Sequence, residues 1–489
     1  MAVRDWLNEI SYTLLQGSLE EEVTEVIYDS RKAAEKTVFV CMKGARADSH
    51  QFIPQVLEAG CRVLVVEHPV EVPQDVTVIQ VENGRQALAF LSAARFGYPA
   101  RKMVTIGVTG TKGKTTTTHM IKAVLESCGK KVGMIGTTGV VIGDQTRPTV
   151  NTTPESWALH QAFDEMVKAG CEYMVMEVSS QGLKMHRVDG ITFDYGLFTN
   201  LSRDHIGPDE HQSFEEYLYY KSQIFACSRA GLLNRDDSHY EEIKKNAKCP
   251  IYEFSLQEPC DFYASNIRCV AEEGFVGVEF NIEGRYQAKV QVGVPGRFNV
   301  YNALGAFAVA SFLELPGNKV EKALKKLRIN GRMELVYSSP KCSVIVDYAH
   351  NAVSMESLLK TLREYNPKRL VCVFGCGGNR SKDRRYSMGE MGGRMADLSI
   401  LTADNSRFEK TEDIIEDIKS TLVPTGGAYL EIPDRREAIA YALNHAEEGD
   451  MIAVIGKGHE DYQEENGVRR PFLDRAVIEE VIGSWQSLK

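Results

Sequence analysis

The apolar positions of this chain fall into two kinds of run, and their alternation predicts its architecture. Short continuous stretches rich in Val, Ile, Leu and Met recur at 104–108, 132–135, 174–178, 197–199 and 231–233. Runs of that length and composition read as strands buried on both faces, which occur in parallel sheets covered by helices. Helical stretches lie between them, at 155–169 and from Lys114 to the stop at Gly129. Upstream, strand candidates at 38–42 and 63–66 accompany a helix over 86–96. Gly97-Tyr98-Pro99 then reads as a linker, because the residue before a proline is pushed out of the helical region. Around 275–294 the period changes to two. Val276, Val278, Phe280 and Ile282, then Tyr286, Ala288, Val290 and Val292, alternate with polar or small residues about Glu283-Gly284, which predicts a β-hairpin.

From Gly331 onward a further unit repeats strand, loop and helix, with strands at 343–346, 370–374, 398–402 and 451–454. Asp434-x-x-Glu437 starts a helix whose Ile439, Ala442, Leu443 and Ala446 share a face. Each strand runs into a polar loop: Asp347-Tyr348-Ala349-His350-Asn351, Gly375-Cys376-Gly377-Gly378-Asn379-Arg380, Asp404-Asn405-Ser406-Arg407 and Gly456-Lys457-Gly458-His459-Glu460. Open α/β sheets bind ligands at the carboxyl ends of their strands, so these loops are expected to share one rim. The expectation is therefore an α/β chain of three domains. They are a small α/β domain over 1–98, a central mostly parallel sheet with a hairpin extension over 99–329, and a C-terminal Rossmann-like domain over 330–489. A length of 489 residues suits three domains of roughly 150 residues each.

Composition narrows the partners. A net charge of −10 gives no support to nucleic-acid binding, so an anionic ligand must be held by local donors against the overall field. No run approaches the ~18 apolar residues of a membrane span, and Met1-Ala-Val-Arg-Asp-Trp has no apolar segment of the export type, so a cytoplasmic location is expected. The 11 cysteines are scattered, several inside apolar runs (Cys61, Cys171, Cys372), without a C-x-x-C pair. That predicts reduced thiols rather than disulfides or a zinc site.

The strand at 104–108 enters Thr109-Gly110-Thr111-Lys112-Gly113-Lys114-Thr115 and then a helix. Strand, glycine loop and helix in that order make a phosphate cradle: backbone N–H groups close on the phosphates, and the helix N-terminus adds partial positive charge. Lys114 would reach the terminal phosphates and the Thr115 hydroxyl would meet Mg²⁺. The strict pattern places glycine at 108, where this chain has Val108 and keeps Gly110 inside the loop. Glu177 closes the apolar run at 174–178, and Asp204-His205 follows the one at 197–199. A carboxylate and an imidazole there can hold a cation that also bridges ATP phosphates.

Six segments follow in order across all three units: Gly110 to Thr115, Asn151-Thr152-Thr153-Pro154, Glu177-Val178-Ser179-Ser180, Asn200 through Asp204-His205, Asp347-Tyr348-Ala349-His350, and Gly456 to Glu460. Together they resemble the Mur ligases, and within them the branch that adds the third peptide residue to UDP-N-acetylmuramoyl-L-alanyl-D-glutamate in peptidoglycan synthesis. The resemblance implies that ATP converts a substrate carboxylate to an acyl phosphate, which an amine attacks. Amine and carboxylate alone only exchange a proton, so a leaving group must be made first.

It also implies the site. Gly110, Thr111, Lys112, Gly113, Lys114, Thr115 and Thr116 take ATP, and Asn302 lies in a segment that meets the adenine. Thr115, Glu177 and His205 hold Mg²⁺. Lys221, in Tyr217-Leu218-Tyr219-Tyr220-Lys221-Ser222, matches a lysine carbamylated by CO₂. Only a neutral amine reacts so, and the product is an anionic oxygen ligand for Mg²⁺. Ser30 and the loop near Arg46 take UDP, while Thr152, Thr153, Ser179 and Arg187 carry the muramoyl-dipeptide. Arg380, Asp404, Asn405, Ser406, Arg407, Gly456 and Glu460 take the incoming amino acid. Relatives adding meso-diaminopimelate carry Asp-Asn-Pro-Arg where this chain has Asp404-Asn405-Ser406-Arg407. Arg407 could pair bidentately with the second carboxylate that distinguishes diaminopimelate from lysine. Ser406 replaces the proline and is expected to loosen the loop. Met185 stands where some relatives have a glutamine, and 206–211 departs from the family pattern, so His211 is given no role. A monomer is expected. A lysine-adding or variant Mur-type ligase, a folylpolyglutamate synthase-like ligase and a P-loop ATPase that forms no amide stay open.

Overall fold

In the computed structural model, residues 1–44, 48–204, 206–207 and 210–486 are described. The chain forms two compact units, Met1–Tyr263 with Leu304–Val320 and Ala264–Ala303 with Glu321–Lys489. Between them they carry three parallel-rich sheets, the α/β architecture the patterning predicts.

The first unit holds a five-stranded sheet in the order Thr13–Gln16, Thr77–Gln80, Val63–Val66, Thr37–Val40, Glu25–Ile27, antiparallel only at its first pair. Helix Gly84–Arg95 covers it. Asn83 caps that helix by accepting the N–H groups of Arg85 and Gln86, and Ala87, Leu88 and Leu91 turn inward. The same unit contains the parallel strands Ser228–Asn234, Phe193–Phe198, Val104–Thr109, Tyr173–Glu177 and Val132–Gly136, adjacent in that order. Val132–Gly136 then pairs with the antiparallel ribbon Gly139–Ile142 and Gln145–Arg147. Helices Lys114–Ser127 and Ser156–Lys168 bury Met120, Ile121, Leu159, Phe163 and Met166. The sequence shows only the apolar end of Phe193–Phe198, because Asp194 and Tyr195 interrupt the run. Asp194 is there for a reason: its carboxylate accepts the Thr105 N–H at 2.8 Å.

The two sheets of this unit meet through polar contacts. Trp157 donates to Glu25 (3.0 Å), Gln86 to Asp189 (2.9 Å), and Asn83 pairs with the His186 ring (3.2 Å).

In the second unit the alternation at 275–294 becomes strands Phe275–Gly284 and Ala288–Val292, with Val278 opposite Val292 and Phe280 opposite Val290. The hairpin is extended to a meander by Phe262–Glu272. The remaining sheet runs Glu334–Ser338, Cys342–Asp347, Asp450–Ile455, Arg369–Phe374, Leu398–Leu401, Tyr429–Glu431, parallel except at its first pair. Helix Arg435–Asn444 begins as predicted, the Asp434 side chain accepting the Glu437 N–H, and Ile439 and Leu443 enter the core with Val344, Val373 and Ile452. A separate hairpin, Tyr462–Glu465 with Val468–Pro471, follows Glu460. All 11 cysteines are free thiols, and no helix among the described residues is long and apolar enough to cross a membrane.

Candidate active site

In the first unit the loop after Val104–Thr109 is shaped by Gly110 at φ +144°, where a Cβ would collide with the Thr199 hydroxyl. Thr199 and Asn200 hold the loop from the neighbouring strand end. Asn200 Oδ1 accepts the Lys112 N–H (2.9 Å), and Asn200 Nδ2 and Thr199 Oγ1 donate to the Lys112 carbonyl (3.0 and 2.6 Å). Gly113, at φ +86°, precedes the 14-residue helix Lys114–Ser127 and provides no side-chain cap. The N-terminal turn of such a helix presents backbone N–H groups and partial positive charge that suit phosphate oxygens. Lys114 folds back over the loop, donating to the carbonyls of Gly110 (2.8 Å) and Thr111 (3.2 Å).

Lys221, on helix Phe214–Ser222, is 1% exposed and donates to the same Gly110 carbonyl at 2.8 Å. Burial, followed by the charge of Lys114, holds its ammonium pKa well below the usual lysine value. Glu177 lies at the carboxyl end of its strand and is 1% exposed. It accepts the Thr115 hydroxyl (3.0 Å), the Thr137 N–H (2.9 Å) and the Thr137 hydroxyl (3.3 Å). A hydroxyl and a carboxylate at the edge of a phosphate loop are hard oxygen donors, the set that suits Mg²⁺. His205 lies outside the described residues.

The residues expected to carry the dipeptide continue from there. Thr152 Oγ1 pairs with Thr137 Oγ1 (3.2 Å). Thr153 Oγ1 donates to the Glu177 carbonyl (3.0 Å) and accepts the Ser179 N–H (2.9 Å). Ser179 caps its helix by accepting the Gly182 N–H, and Arg187 donates to the Thr153 carbonyl (3.1 Å) while lying 3.6 Å from Glu155. Glu155 in turn acts on Tyr28, whose pKa is raised by burial first and by this carboxylate second. Ser30 follows two residues later, at the start of the short turn Ser30–Lys32 capped by Asp29. Arg46 lies outside the described residues. Thr137 is a participant that the sequence reading missed. Nothing in Gly136-Thr137-Thr138 marks it, and its place comes from the parallel register of its strand beside Glu177.

In the second unit the four polar loops leave the same edge of the sheet, as parallel strands require. Asn405 is the centre of the cluster: Oδ1 accepts Lys457 Nζ (3.1 Å) and the Glu464 N–H (2.9 Å), and Nδ2 donates to Glu460 Oε2 (2.9 Å). Lys457 is fully buried and also donates to Glu460 Oε2 at 3.2 Å. Asp404 is buried beside Gly456, and burial pushes its carboxyl pKa up. Arg407 donates through Nη1 to the Gly378 carbonyl (2.9 Å), while the Gly378 N–H donates to the Asn405 carbonyl (2.9 Å). Arg380 is exposed on that loop. Ser406 is buried, and its loop is bonded to Gly378 on one side and Glu464 on the other. Asn302, in helix Asn299–Phe312, is buried and donates to Asn299 Oδ1 at 2.7 Å.

Among the described residues one other group has metal-ligand spacing, Asp48 with His50 and His68. His50 Nε2 accepts the Glu67 N–H and its Nδ1 faces Asp48, so both ring nitrogens are already engaged.

These loops coincide with known family profiles. Residues 22–96 match the Mur ligase family catalytic domain, 108–310 the Mur ligase middle domain and 331–458 the Mur ligase glutamate ligase domain. The chain belongs to the Mur ligase family. It is 39% identical, over 99% of both chains, to the UDP-N-acetylmuramoyl-L-alanyl-D-glutamate--2,6-diaminopimelate ligase of Clostridium perfringens. It is 38% identical, again over 99% of each chain, to the protein of that name from Caldanaerobacter subterraneus. A solved structure of a UDP-N-acetylmuramoyl-L-alanyl-D-glutamate--2,6-diaminopimelate ligase superposes with a TM-score of 0.78 at 28% identity, covering 99% of each chain. As a Mur ligase, the chain has in its first unit a phosphate loop with a carboxylate beside it, and in its second a rim of amide, carboxylate and guanidinium groups.

Proposed function

We propose that this Mur ligase adds meso-diaminopimelate to UDP-N-acetylmuramoyl-L-alanyl-D-glutamate, forming an amide with release of ADP and phosphate in peptidoglycan synthesis. The observation that carries the choice of amine is Arg407. Arg407 shares its loop with Asn405, which donates to Glu460, and its guanidinium spends one donor on the Gly378 carbonyl of the neighbouring loop. Its other donors can pair with the distal carboxylate that lysine lacks. Similarity over the full length to relatives bearing this name supports the same reading.

The division of labour follows the three domains 1–98, 99–329 and 330–489. UDP lies against the first, near Ser30 and Arg46. The muramoyl-dipeptide reaches Thr152, Thr153, Ser179 and Arg187. ATP takes residues 110–116, with Asn302 toward the adenine, and Arg380, Asp404 to Arg407, Gly456 and Glu460 receive the amino acid. Mg²⁺ held by Thr115, Glu177, His205 and a carbamate on Lys221 would neutralise charge on the transferring phosphoryl group. Lys114 aligns the phosphates through its ammonium. Burial and the neighbouring Lys114 charge lower the Lys221 pKa and so favour the neutral amine whose lone pair CO₂ requires. Glu460 suits the ammonium end of the amino acid, and amide formation from an acyl phosphate gains most of its rate from positioning the amine. The same reading makes the protein a cytoplasmic monomer.

The test is ADP release measured with each substrate omitted in turn. Dependence on both the UDP-dipeptide and diaminopimelate is expected. Equal ADP release without either would identify an ATPase that forms no amide and overturn the reading.

A further inference from the structure

The hairpin Tyr462–Glu465 with Val468–Pro471 enters the site described so far only through the Glu464 N–H on Asn405, yet it is also bonded to the backbone of the specificity loop. Arg407 sits at φ +52°, a left-handed conformation that an arginine adopts only when its surroundings impose it. Its N–H donates to the Glu464 carbonyl at 2.9 Å, and its carbonyl accepts the Asn466 N–H. Arg407 and Glu465 thus form a β-bridge, an added rung on the hairpin. Two further bonds bind the preceding residues: Gln463 Nε2 donates to the Asp404 carbonyl (3.1 Å), and the Glu464 N–H to Asn405 Oδ1 (2.9 Å).

The hairpin is itself strongly specified. Glu465 pairs with Val468 across Asn466 and Gly467, at φ +49° and +74°, the two positive angles of a type I′ turn with its preferred Asn-Gly pair. The Gly467 Cα lies against Phe408, where a Cβ would come within 3.2 Å of the ring. Arg469 reinforces one strand, lying over the Tyr462 ring at 4.3 Å and donating to Glu464 at 3.3 Å.

We infer that this hairpin is the element that sets amine specificity: by holding Arg407 in its left-handed conformation, it aims the guanidinium at a carboxylate on the far end of the incoming amino acid. The inference rests on the proposed role of Arg407, with Asn466 and Gln463 as positioning residues. A loop without the hairpin would relax toward ordinary φ values and swing the side chain away from the Gly378 carbonyl. Lysine, which lacks the far carboxylate, would lose nothing by that relaxation.

The experiment compares Asn466→Pro, which removes both the N–H and the positive φ, with Asn466→Gly, which keeps both. Gly467→Ala serves as a milder disruption of the same turn. For each, kcat/KM is measured for diaminopimelate and for lysine, together with KM for ATP and for the UDP-dipeptide and the thermal midpoint. Asn466→Pro is expected to lower kcat/KM for diaminopimelate at least tenfold through KM, with lysine and both other KM values unchanged. Gly467→Ala should follow in the same direction and Asn466→Gly should retain wild-type values. Equal losses for both amines in folded variants, or no change in any, overturn the inference while leaving the proposed reaction standing. A wild type that uses lysine and not diaminopimelate overturns the amine assignment and this inference with it.

Discussion

Lys221 is the buried cation beside the glycine loop of the first unit. An ammonium that is 1% exposed, beside Lys114 and with the Gly110 carbonyl as acceptor, is poorly placed as a cation and well placed as a nucleophile toward CO₂. Lys221→Ala should therefore reduce turnover by orders of magnitude, and acetate or formate should restore part of it by supplying the missing anionic oxygen. Full activity in the variant, or no recovery with either anion, would contradict a carbamate. In the sequence this position was singled out only through the surrounding Tyr217 to Phe225 segment, since a lysine on a helix ordinarily faces water, and its burial could not be read there. Thr137 was not legible at all. Its two bonds to Glu177 arise because residues far apart in sequence end adjacent parallel strands, and no local pattern encodes that.

At the level of elements, the rim of the second unit depends on a buried ion pair beneath it. Arg435 and Asp474 are fully buried and joined by two bonds of 2.7 Å. Arg435 also donates to the carbonyls of Ala403 (3.2 Å) and Ile455 (3.0 Å), the residues just before Asp404 and Gly456. One guanidinium therefore ties together the segments that lead into the loops proposed to receive the amino acid. Removing one partner of such a pair costs about 3–5 kcal/mol because the other charge stays buried. Asp474→Ala should lose stability in that range by urea unfolding; a loss below about 1 kcal/mol would show that the pair is not needed to hold the rim together.

A second anchor is titratable. Arg385 pairs with Glu409 (2.8 Å), which also accepts the Asn379 N–H, and the Arg385 bond is the main cause that holds the Glu409 pKa at about 2. A carboxylate depressed from 4.5 stabilises the fold above its unfolded pKa and loses that contribution as pH falls toward 2. The stability gap between wild type and Glu409→Gln should thus be largest above about pH 4.5 and close toward pH 2. A gap that stays constant over that window would contradict the assignment.

Elements were legible where periodicity was clean, as in the parallel strands and the alternating pair at 275–292. The Tyr462–Pro471 hairpin escaped although Asn466-Gly467 is a strong turn signal. Its strands, Tyr-Gln-Glu-Glu and Val-Arg-Arg-Pro, carry charge on both faces and show no alternation. Their pairing is specified by the Asn466-Gly467 turn rather than by any apolar alternation.

Across the whole molecule, Lys114 and Ser30 follow strands of different sheets in the first unit, and Asp404 to Arg407, Gly456 and Glu460 lie in the second unit. Under the proposed function, ATP, UDP and the amino acid are therefore assigned to different sheets. Lys114→Ala should accordingly abolish acyl-phosphate formation while leaving UDP-sugar binding nearly intact by calorimetry. Loss of both ligands in a folded variant would contradict that division. The order of segments made this architecture readable from sequence, because phosphate loops and strand-end loops are short and local. The ties among the loops of the second unit were not, since Asn405, Lys457 and Glu464 come together only once the sheet has formed.

The central claim is that this ligase selects diaminopimelate through Arg407, and the ratio of kcat/KM for diaminopimelate to that for lysine tests it most directly. The wild type should favour diaminopimelate. Truncating one partner of a partly desolvated charged pair costs about 2–5 kcal/mol, so Arg407→Ala should cut kcat/KM for diaminopimelate roughly thirty- to several-thousand-fold while lysine stays level or gains. A ratio unchanged by the substitution, or a wild type that already prefers lysine, would contradict the account.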